Sequence, residues 1–235
     1  MGRHQGQGHR EPLTEIQAIA AAVRSRLDDR FRVRELGITE SRSVIRASAN
    51  AIRSLHRGEW EAAAHLTAEA GSILAKVVKA LEPHPDILHA GFVADAAKEY
   101  AEAALCTALF RGDAIPMPED LGLDPVPYLH GLGETVGELR RRLLDLLRQG
   151  DLATAEGCLV AMDEIVDLLA ALDYPDGMTN GLRRTTDVAR SLVERSRADL
   201  TATVVQERLR ADLGHRYPVV PPLAGGPADE GGRGG

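Results

Sequence analysis

Two short acidic patterns carry the side chains best suited to chemistry. In PDILHAGFVADAAKEYAEAALCTALFRGD, Asp95, Glu99 and Glu102 recur at offsets of four and seven residues, which on a helix brings them within ~60° of one another. Leu88 and Phe92 continue that line on one side and Cys106 and Leu109 on the other, so the carboxylates read as a patch let into a buried surface. In PVPYLHGLGETVGELRRRLLDLL, Glu134 and Glu138 stand at i and i+4, Asp145 extends their line, and Leu132, Val136, Leu139 and Leu143 form the other face. Buried carboxylates need a cation, a basic partner or a proton. Two readings follow. Arginines from elsewhere pair with the acids, Glu138 reaching Arg141 or Arg142 along its own helix. Alternatively, two helices that each present a Glu pair hold a hard divalent ion, Mg²⁺ or Mn²⁺, which prefers carboxylate oxygens. No Glu-x-x-His accompanies these positions, which disfavours a ferritin-like iron site.

A second pattern is basic. Arg42, Arg46, Arg53 and Arg57 fall within an arc of ~60° on a helix, with His56 just outside it. The opposite arc carries Val44, Ile45, Ala51, Ile52 and Leu55. A face of one sign is either a solvated arginine surface or a stripe that tracks phosphates. His56, at the expected helix end, is assigned to phosphate contact. Trp60 follows a glycine turn and reads as a packing plug rather than a base platform. Arg183, Arg184, Arg190 and Arg197, with Asp187 among them, form either another nucleic-acid surface or a set of ion pairs.

The elements that must position these residues are helices. The chain of 235 residues is 44% hydrophobic but only 3% aromatic, a composition that suits helices over strands. Apolar spacing predicts seven helices at 13–30, 40–57, 59–82, 86–111, 125–149, 151–173 and 178–213. They are punctuated by HRGEW, EPHPD, RGDAIPMPEDLGLDPVP, RQGD and DYPDGMTNG. The expectation is one all-α domain over 13–213, between a flexible tail at 1–12 and a disordered tail at 214–235, both rich in Gly, Pro and polar residues. Net charge is −7, yet residues 1–60 carry +4 and the remainder −11, so the two parts differ in electrostatic role. Cys106 and Cys158 lie inside apolar helical patterns, against a disulfide framework or a Cys-based zinc site. No apolar run approaches the ~20 residues of a membrane span and no signal peptide opens the chain. A soluble, cytoplasmic protein without membrane association is expected.

Four passages, in order, resemble the translin family, and in particular its translin-associated factor X branch and prokaryotic relatives. SRSVIRASANAIRSLHRGE resembles the family's second helix, AKEYAEAAL its Glu-Tyr-x-Glu-Ala segment, and DPVPYLHGLGETVGELRRR its Pro-Val-x-Tyr-Leu-x-Gly-x-x-Asp-x-x-x-Glu-Leu segment. LDYPDGMTNGLRRTTDVARSLVERSRADL resembles the closing passage of prokaryotic members. The resemblance covers roughly residues 15–213. It implies a seven-helix translin-like bundle, a homo-oligomeric, octamer-like shell, and a divalent-metal endoribonuclease acting on single-stranded or flexible RNA, with single-stranded DNA as a further partner. The family's catalytic acids map onto Glu99, Glu102, Glu134 and Glu138. Of these Glu99, Glu102 and Glu138 are the expected ligands of Mg²⁺ or Mn²⁺, and Glu134 is a ligand or the base that orients water. Position 134 is Glu where the eukaryotic pattern has Asp. Asp95 and Asp145 lie outside the quartet and are at most supporting groups. Arg42, Arg46, Arg53, His56 and Arg57 are the expected RNA-binding face. A translin-like binder without catalysis, a MazG-type nucleoside triphosphate pyrophosphohydrolase using Glu-x-x-Glu and Mg²⁺, and a scaffold remain as alternatives; the arginine face and closing passage disfavour the pyrophosphohydrolase.

Overall fold

The computed structural model describes residues 12–216; of the expected tails at 1–12 and 214–235, residues 1–11 and 217–235 lie outside the described residues, while Pro12 begins the first helix and the last helix runs on to Arg216. Among the described residues the chain is all helix: α1 (Pro12–His56), α2 (Trp60–Leu81), α3 (Pro85–Leu88), α4 (Phe92–Arg111), α5 (Pro125–Gln149), α6 (Leu152–Ala171), α7 (Asp176–Thr179) and α8 (Leu182–Arg216). Six are long and two are single turns, where the periodicity predicts seven. The difference has local causes. The separate helices expected at 13–30 and 40–57 are one rod, because Gly37 is a point of close approach and not a break. A Cβ there would stand 3.1 Å from Leu81 and from Phe92. The expected helix 86–111 is interrupted at Gly91, whose φ of 96° is open to glycine but strained for other residues. The expected helix 178–213 is likewise split at Asn180 and Gly181, both at positive φ.

Helix ends follow the local sequence. Pro125 opens α5 where its missing N–H costs nothing, and Asp151 caps α6 by accepting from the Thr154 N–H at 3.1 Å. The helices form two packed groups. In the first, Val44, Ala47, Ala70, Leu74, Val77, Leu81, Val93 and Ala97 join α1, α2 and α4. In the second, Leu105, Cys106, Leu132, Val136, Leu143, Leu159, Met162, Leu169, Val193 and Leu200 join α4, α5, α6 and α8. The α4 helix belongs to both groups, so its acid-bearing face is fixed from two sides.

One part of α1 buries no side chain, although Arg30 pairs with Asp86 of α3. Thr14 to Arg32 are exposed throughout, and Ile16, Ile19, Val23, Leu27 and Phe31 are 50–63% exposed along one side of this arm. Apolar packing of the helix begins at Val33. No helix among the described residues is long and apolar enough to cross a membrane.

Candidate metal centre

The two acidic patterns meet where α5 crosses α4. Gly131 makes the crossing close: a Cβ at this position would lie 2.7 Å from both the Ala101 Cβ and the Lys98 carbonyl oxygen. Beneath it, Thr135 is fully buried and returns its hydroxyl to the Gly131 carbonyl at 2.9 Å. Backbone thus approaches backbone, and the carboxylates on either side follow. Glu99, Glu102 and Glu134 each present an oxygen within 4.8 Å of the other two.

Their environments differ. Glu102 is only 8% exposed and has no hydrogen bond or ion pair among the described residues. Burial first, and then the charges of Glu134, Glu99 and Glu138, push its carboxyl up to about 8. Glu99 and Glu134 share Lys98, whose Nζ lies 3.3 Å from Glu99 Oε1 and 2.7 Å from Glu134 Oε1. Burial alone would lower the Lys98 pKa, but the hydrogen bonds and charges of Glu134 and Glu99 outweigh it and raise the value. Glu138 lies one turn further along α5 and has a different partner: His56 Nε2, 2.5 Å from its Oε2. That hydrogen bond, and the charges of His56 and Arg141, hold Glu138 below the usual carboxylate range against the opposing effect of burial. The His56 ring is fixed edge-on against Phe110, with centroids 5.4 Å apart. Below lies Cys106, fully buried, its thiol pushed well up by burial and by Glu102 and Glu138.

Three converging oxygens, one on a buried and otherwise unpaired carboxyl, fit a hard divalent cation. The three acids that converge are not the three expected to hold the ion. Glu134 stands with Glu99 and Glu102, whereas Glu138 is engaged by His56 and, at 3.8 Å, by Arg141. His56 itself is corrected: its side chain is 6% exposed and turned inward onto Glu138, so it does not belong to the arginine face. Asp95 is exposed in the first turn of α4, and Asp145 pairs with Arg148 at 3.2 Å; neither joins the triad. No arginine among the described residues pairs with Glu99, Glu102 or Glu134. Arg142, one of the two expected partners of Glu138, turns away to Phe110 and Trp60, with its guanidinium 4.5 Å and 5.7 Å from their ring centroids.

No protein-family model matches the chain. An uncharacterised protein of Methanocaldococcus jannaschii is 26% identical over 188 residues, 80% of this chain and 83% of its own. AfC3PO, solved both alone and in complex with duplex RNA, is 32% identical over 80% of this chain and 97% of its own, with a TM-score of 0.73. The chain belongs to the translin family. The apo structure of NeC3PO, 18% identical with a TM-score of 0.71, shares the fold over 83% of this chain and its own full length.

The arginine face of this translin-family chain is laid out as the helical arc requires. Arg42, Arg46, Arg53 and Arg57 are all exposed. Arg57 is tied to Glu59 at 2.6 Å. Among the described residues Arg46 reaches only Ser43 and Arg53 only Asn50, so these two and Arg42 meet no carboxylate there. The α8 arginines are mostly spoken for, Arg190 by Asp187 at 3.0 Å and Arg197 by Asp163 at 2.7 Å. Two functional groups escaped the reading of the sequence. Lys98 had a visible signal, since it is one of only three lysines in an arginine-dominated chain and sits inside the acidic segment. The inward turn of His56 had none, because its partner is 82 residues away.

Proposed function

We propose that this chain is a divalent-metal-dependent endoribonuclease that works as a homo-oligomeric, octamer-like shell in the cytoplasm. The observation that carries the reading is the buried, unpaired Glu102 carboxyl converging with Glu99 and Glu134. The 32%-identical relative solved in complex with duplex RNA supports RNA as the substrate class. Glu99, Glu102 and Glu134 would hold Mg²⁺ or Mn²⁺. Such an ion supplies Lewis acidity toward water and toward the charge that builds on a phosphodiester. Glu138, kept ionised by His56, accepts the proton of the attacking water as the water oxygen bonds to phosphorus and the bond from phosphorus to the leaving ribose oxygen breaks, that oxygen taking its proton from solvent. Arg42, Arg46 and Arg53 hold the RNA backbone without reading bases, which gives weak sequence preference and steep salt dependence. The bare apolar side of the α1 arm is covered by a second copy of the chain. Two free, buried cysteines suit a reducing compartment.

Catalytically silent binding of RNA or single-stranded DNA is the second reading. It is favoured by Lys98, which already neutralises part of the acid cluster. Labelled single-stranded and duplex RNA incubated with the full chain, in Mg²⁺ or in EDTA, separates the two. Cutting that needs Mg²⁺ and disappears in Glu102→Gln while RNA binding persists is the expected result. Cutting that survives either EDTA or the substitution overturns the nuclease, and no cutting of either RNA leaves the binder.

A further inference from the structure

Lys98 holds two of the three acids that a bound cation would use. Its ammonium bridges Glu134 and Glu99, at 2.7 and 3.3 Å, two of the three residues whose oxygens fall within 4.8 Å of one another. An ammonium keeps oxygens at hydrogen-bond distance, whereas Mg²⁺ binds them at ~2.1 Å, so two oxygens on one ion stand no more than about 4.2 Å apart. Carboxylates bridged by an ammonium would therefore draw closer together on a metal. The third oxygen donor has no direct contact with the lysine, because Glu102 is buried and makes no hydrogen bond or ion pair among the described residues. The residue type matters as well. A chain with three lysines among 28 basic residues places at this point a single charge on a flexible stem, which can leave, and not a guanidinium fork, which would grip two carboxylates persistently. The Lys98 side chain is 25% exposed, so it has a way out to solvent.

Resting on the reading of the triad as a metal centre, we propose that Lys98 is a resident counter-cation that holds Glu99 and Glu134 in the metal-free protein and is exchanged for the divalent ion. The two cations are mutually exclusive occupants, and metal entry expels the ammonium to the surface. The lysine thereby weakens metal affinity while keeping the acids from splaying apart before an ion arrives.

The test titrates Mn²⁺ alone into the full-length protein, following binding by calorimetry and by the loss of the free-ion paramagnetic resonance signal. Lys98→Met should bind Mn²⁺ about tenfold or more tightly than wild type. It should also melt lower without metal and gain more in melting temperature from Mn²⁺. Lys98→Gln, which keeps a hydrogen-bonding stem, replaces it should the Met variant not fold. In wild type, acetylation of Lys98 by acetic anhydride should become faster with Mn²⁺, the reverse of the protection that binding ordinarily confers. Unchanged or weaker Mn²⁺ affinity in the lysine variants, with binding still abolished by Glu102→Gln, overturns the exchange and leaves the metal centre standing. Mn²⁺ binding that is absent from wild type, or indifferent to Glu102→Gln, overturns the metal centre and the exchange with it.

Discussion

Replacing Gly131 by alanine should push α5 off α4 and open the acid triad. The new methyl carbon would start 2.7 Å from the Ala101 Cβ and from the Lys98 carbonyl, and 3.0 Å from the Glu102 backbone nitrogen. Carbon atoms pack at about 3.5–4.0 Å, so the helices must separate by roughly 0.8 Å or bend. All three clashing groups belong to the stretch of α4 that carries Glu99 and Glu102, and Glu134 lies three residues beyond Gly131 on the approaching helix. The triad, within 4.8 Å in the native chain, would widen beyond the reach of one small ion. Overpacking of this size costs about 1–3 kcal/mol, which in a domain of this length lowers the melting temperature by roughly 2–12 °C. Mn²⁺ affinity should fall about tenfold or more, and RNA cleavage by about 100-fold, the scale set by misplacements near 1 Å. Gly137→Ala is the control, because its Cβ would meet nothing nearer than 3.9 Å and alanine favours the helix by up to about 1 kcal/mol. Calorimetry with Mn²⁺ and thermal melting of the three proteins decide the matter. A Gly131→Ala protein that melts with wild type and binds Mn²⁺ equally well would refute the close-approach argument.

Other perturbations probe the same frame. The Glu102 carboxyl sits at about 8 in the folded chain against an ordinary 4.5, so the native state binds the proton more tightly. Metal-free stability should therefore fall as pH rises from 4.5 to 8, by several kcal/mol on the order of 1.36 per unit, with much of the slope absent from Glu102→Gln in pH-dependent melts. Glu138 has the opposite sign: its lowered value stabilises above the ordinary carboxylate pKa and is lost as pH falls through the lowered one. His56→Ala should destabilise by about 2–4 kcal/mol by stranding Glu138 and reduce cleavage, while RNA affinity and its salt slope stay near wild type; a drop in the salt slope by about one contact would instead return His56 to the phosphate face. Val23→Glu with Leu27→Glu should dissociate the assembly without loss of helicity, and an unchanged mass by light scattering would show that the α1 arm is not the contact.

What the sequence makes legible is whatever one helix determines by itself. The arc of Arg42, Arg46, Arg53 and Arg57 is exposed as the 100° periodicity requires, and Pro125 and Gly150 bracket α5 where their chemistry predicts. Relations between helices are a different matter. Whether Glu134 or Glu138 joins Glu99 depends on how far α5 slides along α4, which is fixed by the bare backbone at Gly131 and by side chains on both helices. His56 lies just outside the arginine arc, and a small rotation decides between solvent and Glu138; packing against Phe110 turns it inward. The bracketing of Asp95 by apolar residues overstated its burial, since Leu88 belongs to α3 on the far side of the Gly91 break.

The length of α1 has a mechanical consequence. Its 45 residues make a rod of about 67 Å at 1.5 Å per residue, with the bare arm at one end and the His56 grip on Glu138 at the other. Val33, where apolar packing begins, is about 35 Å from His56, and along that stretch Val44, Ala51 and Leu55 are buried in the core. The inner half of the rod is therefore a clamped beam, and a load applied to the outer arm is taken up at the clamp before it reaches the acids.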